Sequence, residues 1–475
     1  MNYKTPGVFI EEISTLPASI AGVETAIPAF IGYTETTEKD GDATALLNVP
    51  TRISSMLDYK EIFGGPVLKQ FNLEIADTYD TDSALVTREF SASPTSPSEF
   101  ILYYSLQFYF NNGGGPCYIV SVGDYTAGSV SEGDTTTPAG IIGGIKVLEQ
   151  VDEPTLIVFP DATNLDSLTQ YGNVAKDALA QCNKLQDRFA IIDTYDDGTD
   201  DAIENFRGEL GTSYLKYGAV YHPYLETSLT YEFDAESSQI THTRSGSTPA
   251  SPLDLSGQDL SDIENSQPSI YRSLEAEIKK NYITLPPSAA VAGIYARVDR
   301  NRGVWKAPAN VSLNSVIKPV IKITNEDQQT LNVDATSGKS INAIRTFTGK
   351  GTLVWGARTL AGNDNEWRYV PVRRLFIYVE ESVKKATEFV VFEPNDANTW
   401  VRVRAMIGNF LTGLWRDGAL AGATAEQAFF VKVGLGQTMT AQDILEGRMI
   451  VEIGMAAVRP AEFIIIRFMH KLQES

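Results

Sequence analysis

The sequence predicts a multidomain protein of the mixed α/β class, with an α+β domain towards its C-terminal end. Three observations lead to this prediction. Strand-like runs alternate with helical patterns up to about residue 296, two amphipathic helical patterns and short β-rich runs follow later, and the charge balance changes between the two parts. The chain has 475 residues, which corresponds to about three domains.

Residues 1–20 are predicted to form an arm. They contain the strand-like piece Gly7–Ile13, which lies between Pro6 and Pro17. Two glutamates within this piece suit an edge strand that must stay soluble before it pairs. We therefore treat residues 1–20 as a linking arm outside any domain.

Residues 21–300 are predicted to form an α/β domain with much parallel strand pairing, because apolar runs and helical patterns alternate along the chain. The strand-like runs are Phe30–Tyr33, Thr51–Ser54, Cys117–Val122, Thr155–Phe159, Phe189–Asp193 and Tyr217–Tyr221. The helical patterns are Leu165–Gln186, Asp200–Gly211 and Ile270–Asn281.

Two segments interrupt this alternation. Residues 71–100 hold several aspartates and a run of Ser, Thr and Pro, and residues 230–267 are richer still in Ser, Thr, Asp and Gly. Such composition is typical of loops and hairpins. We expect both segments to be insertions on the outside of the α/β domain.

Residues 301–458 are predicted to form the C-terminal domain. Apolar residues recur at helical spacing from Pro371 to Phe389 and again from Trp400 to Gly418. The β-rich runs Phe429–Val433 and Arg448–Ile453 follow. The simplest arrangement is two helices packed against a small sheet.

Residues 459–475 contain a last strand-like run, Glu462–Met469, which follows Pro460. From Phe463 onwards both alternating faces of this run are apolar, except at Arg467. An unpaired strand of this kind aggregates, so it must pair. Because Pro460 interrupts the ladder before it, donation of the strand to a neighbouring copy is an open alternative to pairing within the chain.

Composition and charge exclude several classes of function. The net charge is −21, and the first 340 residues carry 23 Lys and Arg against 46 Asp and Glu, whereas the remainder carries 16 against 14. Such acidity argues against direct nucleic-acid binding and anionic membranes. The sequence lacks the order of a signal peptide and a long apolar run, so we expect synthesis in the cytoplasm and no membrane insertion. Cys117 and Cys182 are predicted to be buried free thiols.

No catalytic, cofactor-binding or metal-binding site is predicted. The three histidines, His222, His242 and His470, show no metal-ligand spacing. The glycine-rich stretches Asn111–Cys117 and Gly349–Thr352 lack the residues of a phosphate-binding loop. The acidic run Asp193–Asp201 lacks the ligand spacing of a calcium loop and is interpreted as an acidic loop that caps a helix.

The chain resembles the sheath subunits of contractile phage tails and of related extracellular contractile injection systems. The resemblance covers the two chain ends and nearly all of the C-terminal part, but not the two insertions. It rests on the stretches Thr5–Ile13, Ala26–Gly32, Ala343–Phe347, Gly351–Leu360, Trp367–Leu375, Val391–Asn395, Leu414–Leu420 and Val458–Phe463.

The resemblance implies a structural protein without catalysis. Sheath subunits of this family stack as hexameric rings into a helical cylinder around an inner tube, bounded by baseplate and terminator or cap proteins. On triggering, the cylinder shortens and drives the tube through a target envelope. Neighbours are linked when the N-terminal arm and the C-terminal strand of adjacent copies join the sheet of another copy's C-terminal domain. The particle is a phage tail or a released extracellular injection system.

The resemblance also implies site residues, each of which is an expectation. The positions expected to link neighbours by strand donation are Val8, Phe9, Ile10, Phe463, Ile464, Ile465, Ile466 and Phe468. The balanced C-terminal domain is expected to face the inner tube. Its candidate contact residues are Arg373, Arg374, Lys384 and Lys385, although a solvated helix face would explain the same residues.

Two alternatives stay open from the sequence. One is a surface-binding or decorating structural module of a phage-like particle, in which residues 230–267 recognise a surface. The other is an enzyme, either a nucleotide-driven machine or an uncharacterised hydrolase such as a glycosidase, whose paired carboxylates have no fixed spacing in sequence.

Overall fold

The computed structural model describes residues 20–96, 99–136 and 139–467. These residues form two compact units. The α/β unit holds residues 24–377 together with 460–467, and the C-terminal unit holds residues 378–459 together with 20–23. The predicted domain boundaries at residues 300 and 458 stay a prediction.

The strands account for four sheets. In chain order they are β1 Pro28–Thr34, β2 Thr51–Ile53, β3 Phe71–Tyr79, β4 Leu85–Pro94, β5 Cys117–Asp124, β6 Leu156–Val158, β7 Phe189–Asp193, β8 Gly218–His222, β9 Leu225–Thr230, β10 Ile240–Gly246, β11 Tyr282–Leu285, β12 Val311–Ser312, β13 Val316–Pro319, β14 Ile341–Phe347, β15 Gly351–Val354, β16 Phe429–Val433 and β17 Val451–Met455.

The α-helices lie mostly between strands of the α/β unit. In chain order they are α1 Met56–Phe63, α2 Leu102–Asn111, α3 Gly140–Val147, α4 Leu168–Leu185, α5 Ala202–Glu209, α6 Pro268–Ile278, α7 Ser288–Arg302, α8 Asn325–Asn332, α9 Val370–Thr387, α10 Ala397–Arg416, α11 Ala425–Ala428 and α12 Ala441–Leu445. No helix in the described part of the chain combines the length and apolarity needed to cross a membrane.

The main sheet has nine strands in the order β12-β15-β14-β8-β7-β6-β1-β5-β2. Its six central strands, from β14 to β5, pair in parallel, and the strands at both edges are antiparallel. Parallel sheets of this kind are covered on both faces. The predicted α/β class with much parallel pairing is thereby confirmed.

The central strand β1 shows how both faces are covered. All seven of its residues are buried, and consecutive side chains of a strand point to opposite faces. The Phe30 ring packs edge-on against Tyr109 of α2 at 5.1 Å. The neighbouring Ile31 instead lies against Gly144 of α3, where a Cβ would come within 2.5 Å of its side chain. Helices α2 and α3 therefore lie on opposite faces of the sheet.

The crevice at the carboxyl ends of β1 and β6 is filled by the chain's own side chains. In doubly wound sheets, ligands bind where the strand order reverses. Here it reverses between β1 and β6, because β5 lies on one side of β1 and β6 to β8 lie on the other. The buried Asp161 carboxylate accepts the backbone N–H of Tyr33 at 2.7 Å and that of Ile101 at 2.8 Å. Burial raises the pKa of Asp161 to about 7, against the lowering effect of these backbone donors. Gly32 leaves room for the carboxylate, because a Cβ there would lie 2.4 Å from Asp161 Oδ2.

The two predicted insertions come together in a second small core. Strand β10 pairs in parallel with β3, and β3 pairs antiparallel with β4, so residues 71–94 and 240–246 share one sheet. Helix α6 packs against it. Asp77 binds Arg88 through two hydrogen bonds of 2.6 and 2.7 Å and lies 3.0 Å from His242 Nε2. Asp77 and His242 are buried, whereas Arg88 is partly exposed. The hydrogen bonds from Arg88 and His242 lower the pKa of Asp77 to about 2.

The remaining strands of the α/β unit form a three-stranded antiparallel sheet in the order β11-β9-β13. Strand β13 follows the turn at Ser315, which has a φ of 57°.

The predicted free thiols are confirmed, since Cys117 and Cys182 are both buried and unpaired with each other.

Replacing Asp161 with Asn tests the filled crevice. Both carboxylate oxygens accept a backbone N–H, and an amide nitrogen cannot accept a hydrogen bond. One buried donor is left unsatisfied, so Asp161→Asn should lower the free energy of unfolding by about 1–3 kcal/mol. Denaturant unfolding followed by circular dichroism measures this. Asp166→Asn, at an exposed position nearby, should change it by less than about 0.5 kcal/mol, and equal effects of the two changes would contradict the role of Asp161.

Candidate assembly interface

The C-terminal unit is built around one long helix and a two-stranded sheet. Helix α10 begins at the N-cap Asp396, whose side chain accepts the N–H groups of Asn398 and Thr399 at 3.0 Å. Its buried face is apolar at helical spacing and packs on β16. The residues of this face are Val403, Met406, Ile407, Leu411 and Leu414. The predicted helices and the first predicted strand of this part are confirmed, with the end of each helix shifted by two residues.

The sheet of the C-terminal unit has open edges. Strand β16 pairs antiparallel with β17, from Phe429 opposite Met455 to Val433 opposite Val451. Among the residues that the structure describes, neither strand has a second strand partner, apart from an isolated bridge between Leu420 and Ala457 just beyond β17. Two strands alone are marginally stable, and an open edge presents unpaired N–H and C=O groups. This sheet therefore has capacity for further strands.

One face of the pair carries an aromatic ring over a glycine. Phe430 lies opposite Gly454, and a Cβ at Gly454 would lie 2.2 Å from Phe430 Cε1. The ring covers the glycine backbone, and Lys432 Nζ lies 4.7 Å from the ring centroid. Phe430 nevertheless remains 48% exposed, so this face of the sheet can be covered further.

Residues 462–467 of the predicted last strand have no strand partner among the residues that the structure describes. Residues 461–467 form neither helix nor strand. The side chains of Phe463, Ile464, Ile465 and Ile466 are 70–80% exposed. Four consecutive large apolar side chains in water are unusual, and such patches mark interaction sites.

Directly before this segment, Glu462 is held by three side chains of the α/β unit. Arg358 donates from Nη2 to Glu462 Oε2 at 2.6 Å and from Nε to Oε1 at 3.0 Å. Asn332 donates from Nδ2 at 2.7 Å and the Tyr369 hydroxyl at 3.1 Å. Burial alone would raise the pKa of Glu462, but the hydrogen bonds from Arg358 and Asn332 lower it below its ordinary value. We call these four residues the Glu462 clamp.

Comparison with known proteins identifies the family of this chain. The family model described as "Phage tail sheath protein central domain" matches residues 178–360, and that described as "Phage tail sheath C-terminal domain" matches residues 362–470. A chain in the baseplate of the anti-feeding prophage, solved by electron cryomicroscopy, is 33% identical over 99% of this chain and 100% of that one, with a TM-score of 0.65. The chain belongs to the contractile tail sheath family.

Two further relatives agree with this assignment. The anti-feeding prophage helical sheath in its contracted state is 32% identical over 99% of this chain and 100% of that one, with a TM-score of 0.65. The tail sheath protein of Enterobacteria phage T4 is 27% identical over 129 residues, which are 27% of this chain and 19% of that protein. The match thus spans about a fifth of the T4 relative. As a member of this family, the chain is a structural, non-enzymatic sheath subunit of a contractile injection system.

The expected linking residues of this sheath subunit are only partly described. Phe463, Ile464, Ile465 and Ile466 lie together in the exposed segment. Val8, Phe9, Ile10 and Phe468 lie outside the described residues. Strand donation by these residues stays a prediction.

The four expected tube-contact residues divide into two pairs. Arg373 and Arg374 are only 2% and 3% exposed. The Arg374 guanidinium binds Asp299 at 2.5 and 3.1 Å, and that of Arg373 lies 4.6 Å from the ring centroid of Trp367. Because they are buried in the α/β unit, we do not retain them as contact residues. Lys384 and Lys385 are exposed by 60% and 36%, and both pair with Glu381.

The sequence did not predict the Glu462 clamp. The pattern predicts Glu462 as the first residue of a strand, and Arg358 lies 104 positions away. The only local signal was a carboxylate at the start of an otherwise apolar run, directly after Pro460.

Replacing Gly454 with Ala tests the close contact in the sheet of the C-terminal unit. The new methyl group would meet the half-exposed Phe430 ring, so the ring must leave its preferred rotamer and the free energy of unfolding should fall by about 0.5–1.5 kcal/mol. Gly413→Ala is the matched control, because nothing lies within 4 Å of its Cβ position in α10, and it should raise the free energy by about 0.5–1 kcal/mol. Denaturant unfolding measures both. A neutral effect at Gly454 would contradict the described contact.

Proposed function

We propose that this sheath subunit polymerises, by exchange of strands between copies, into a helical cylinder of stacked hexameric rings around an inner tube. Contraction of that cylinder drives the tube through a target envelope. In the proposal, the segment Phe463–Phe468 and the arm residues Val8–Ile10 of adjacent copies join the open edges of the β16–β17 sheet. Each C-terminal unit is then completed by other copies.

The observation that carries this proposal is that one chain has both an open sheet edge and an exposed apolar segment that could pair with such an edge. The β16–β17 sheet has unpaired edges, and the segment Phe463–Ile466 has exposed apolar side chains and no strand partner within the described part of the chain. A strand added to a sheet edge satisfies both needs at once. Each backbone hydrogen bond gained contributes about 0.5–1.5 kcal/mol, and full burial of each Ile or Phe side chain contributes about 1.5–3 kcal/mol.

Head-to-tail donation explains how one chain can build a cylinder. An interface in which the donating and accepting surfaces differ does not close upon itself, and repetition generates rings or helices. The anti-feeding prophage relatives are titled as a baseplate and as a contracted helical sheath. By analogy, we propose that this chain assembles with itself and with a baseplate, and that a cap protein ends the cylinder.

Contraction in this proposal needs no nucleotide. The α/β unit moves as a rigid body between two packings, and the difference in interface free energy supplies the drive. The exchanged strands keep neighbours connected throughout, because their backbone ladder does not depend on how the α/β units pack against one another.

The charge distribution supports an orientation in the cylinder. The first 340 residues carry 23 basic against 46 acidic residues, whereas the rest is nearly balanced. We propose that the C-terminal unit faces the inner tube and that the acidic part faces solvent. Lys384 and Lys385, on the exposed side of α9, are the tube-contact residues in this proposal.

Placing charge in the exposed segment tests strand donation. Ile464→Lys together with Ile466→Lys should leave the melting temperature of the unassembled subunit unchanged, because both side chains are exposed. Cylinders seen by negative-stain microscopy should disappear, because two ammonium groups would be buried in the receiving sheet. The control Val86→Lys replaces another exposed apolar side chain outside the linking segments. Normal cylinders from the double variant would refute donation by this segment.

Removing the two exposed lysines tests the tube contact. Lys384→Ala with Lys385→Ala should leave cylinders intact and should reduce the amount of inner tube protein that sediments with them. Lys279→Ala with Lys280→Ala is the matched control, since these lysines are similarly exposed and pair with glutamates of α6 in the α/β unit. An equal amount of tube protein with both pairs of changes would exclude Lys384 and Lys385 from the contact.

A further inference from the structure

The Glu462 clamp joins the exposed segment to the centre of the nine-stranded sheet. Besides binding Glu462, Arg358 is held at its backbone, where its N–H donates to Asn342 Oδ1 at 2.7 Å and its carbonyl accepts from Asn342 Nδ2 at 2.8 Å. Asn342 is a buried residue of β14, and it also donates to the carbonyl of Val220 in β8 at 3.0 Å. Glu462 is therefore two hydrogen-bonded steps from β14 and three from β8, which are parallel neighbours in the sheet.

The other residues of the clamp are also fixed. Asn332 ends α8, and its carbonyl accepts from Arg358 Nη1 at 3.1 Å and from the Ser340 hydroxyl at 2.6 Å. Tyr369 forms an antiparallel bridge with Arg358. Arg358 is only 3% exposed. Charge-assisted hydrogen bonds around a buried guanidinium hold the partly buried Glu462, Asn332 and Tyr369 in fixed positions.

The clamp lies at a particular place along the chain. Residues up to Arg459 belong to the C-terminal unit, and residues from Pro460 onwards belong to the α/β unit. The exposed apolar segment starts at Phe463, directly after the clamped residue. No linker residue separates the clamp from the segment, because Phe463 directly follows Glu462. Pro460 and Ala461 lie between the clamp and the C-terminal unit.

We infer that the Glu462 clamp is the anchor of the donated strand: a neighbour that holds residues 463–468 is connected through Glu462 and Arg358 to the α/β unit of the donor. Force between the neighbour and the donor's α/β unit then passes through the clamp and not through the peptide bonds around Pro460. This inference rests on the proposed strand donation and adds to it the part of the donor to which the strand is fixed. Glu462 is a positioning residue in assembly, and Arg358, Asn332 and Tyr369 are its receptor.

The anchor has a mechanical consequence. When subunits rearrange, the donated strand must follow the α/β unit of its own chain, and the pivot is the bond after Glu462. Extra chain before the clamp leaves the distance between anchor and strand unchanged. Extra chain after the clamp lengthens it and lowers the effective concentration of the strand at the neighbour's sheet.

Two insertions of the same peptide separate these cases. A Gly-Ser-Gly-Ser insert between Arg459 and Pro460 lies before the clamp, and the same insert between Glu462 and Phe463 lies after it. Neither removes a residue of the clamp, and thermal unfolding of the unassembled subunits checks that both variants fold. We expect the first insert to leave the yield of sedimenting cylinders unchanged and the second to reduce it several-fold relative to wild type.

The outcomes are distinguishable from a failure of the proposed function. If the wild-type chain forms no cylinders under any assembly condition, the proposed function fails, and the inference fails with it. If wild type assembles and the two inserts have equal effects, or the insert before the clamp is the more harmful, the strand is not anchored at Glu462, and only the inference is overturned.

A substitution provides an independent measurement on assembled material. Glu462→Gln removes the charge that Arg358 binds, whereas Glu366→Gln removes a charge at an exposed position of the same unit. Cylinders of Glu462→Gln should dissociate at a lower guanidinium concentration than cylinders of Glu366→Gln. Equal resistance of the two would overturn the role of the clamp.

Discussion

A β-strand is stable only when its backbone groups are paired, and the described part of this chain leaves that requirement unmet at two places. The β16–β17 sheet has open edges, and the segment Phe463–Ile466 exposes four large apolar side chains without a strand partner in the described ranges. Soluble proteins ordinarily cover or charge such edges. In the proposed assembly, the exposed segment of one copy pairs with the open sheet edge of another copy. The proposed cylinder follows from this constraint.

The α/β unit is rigid. Its central strands are buried on both faces, and the crevice where related folds bind ligands is filled by the Asp161 carboxylate and its backbone donors. Its insertions form a second core that is closed by the Asp77, Arg88 and His242 cluster. In the proposed contraction, this unit moves as a rigid body. In the proposed assembly, the Glu462 clamp fixes the start of the donated strand to this unit.

The sequence predicted elements with a strong local pattern and missed those whose pattern is removed by burial. Helix α10 has one apolar face, so its spacing was recognisable. Helices α2 and α7 were not predicted, because most of their residues are buried and no polar face provides a contrast. The pairing of β10 with β3 joins residues far apart in sequence, and no local pattern could indicate it.

The same distinction applies to the candidate interface. The apolar run at residues 463–466 indicated its need for a partner from its composition alone. Arg373 and Arg374 had the sequence of a solvated helix face, but tertiary contacts with Asp299 and Trp367 bury them. The Glu462 clamp depends on side chains from three distant positions, so only the folded chain reveals it.

Amide hydrogen exchange of residues 463–467 tests the central claim most directly, measured in the unassembled subunit and again in assembled cylinders. The account predicts fast exchange in the subunit, where these residues have no strand partner, and strong protection in the cylinder, where they join a neighbour's sheet. Equally fast exchange in both states would contradict it.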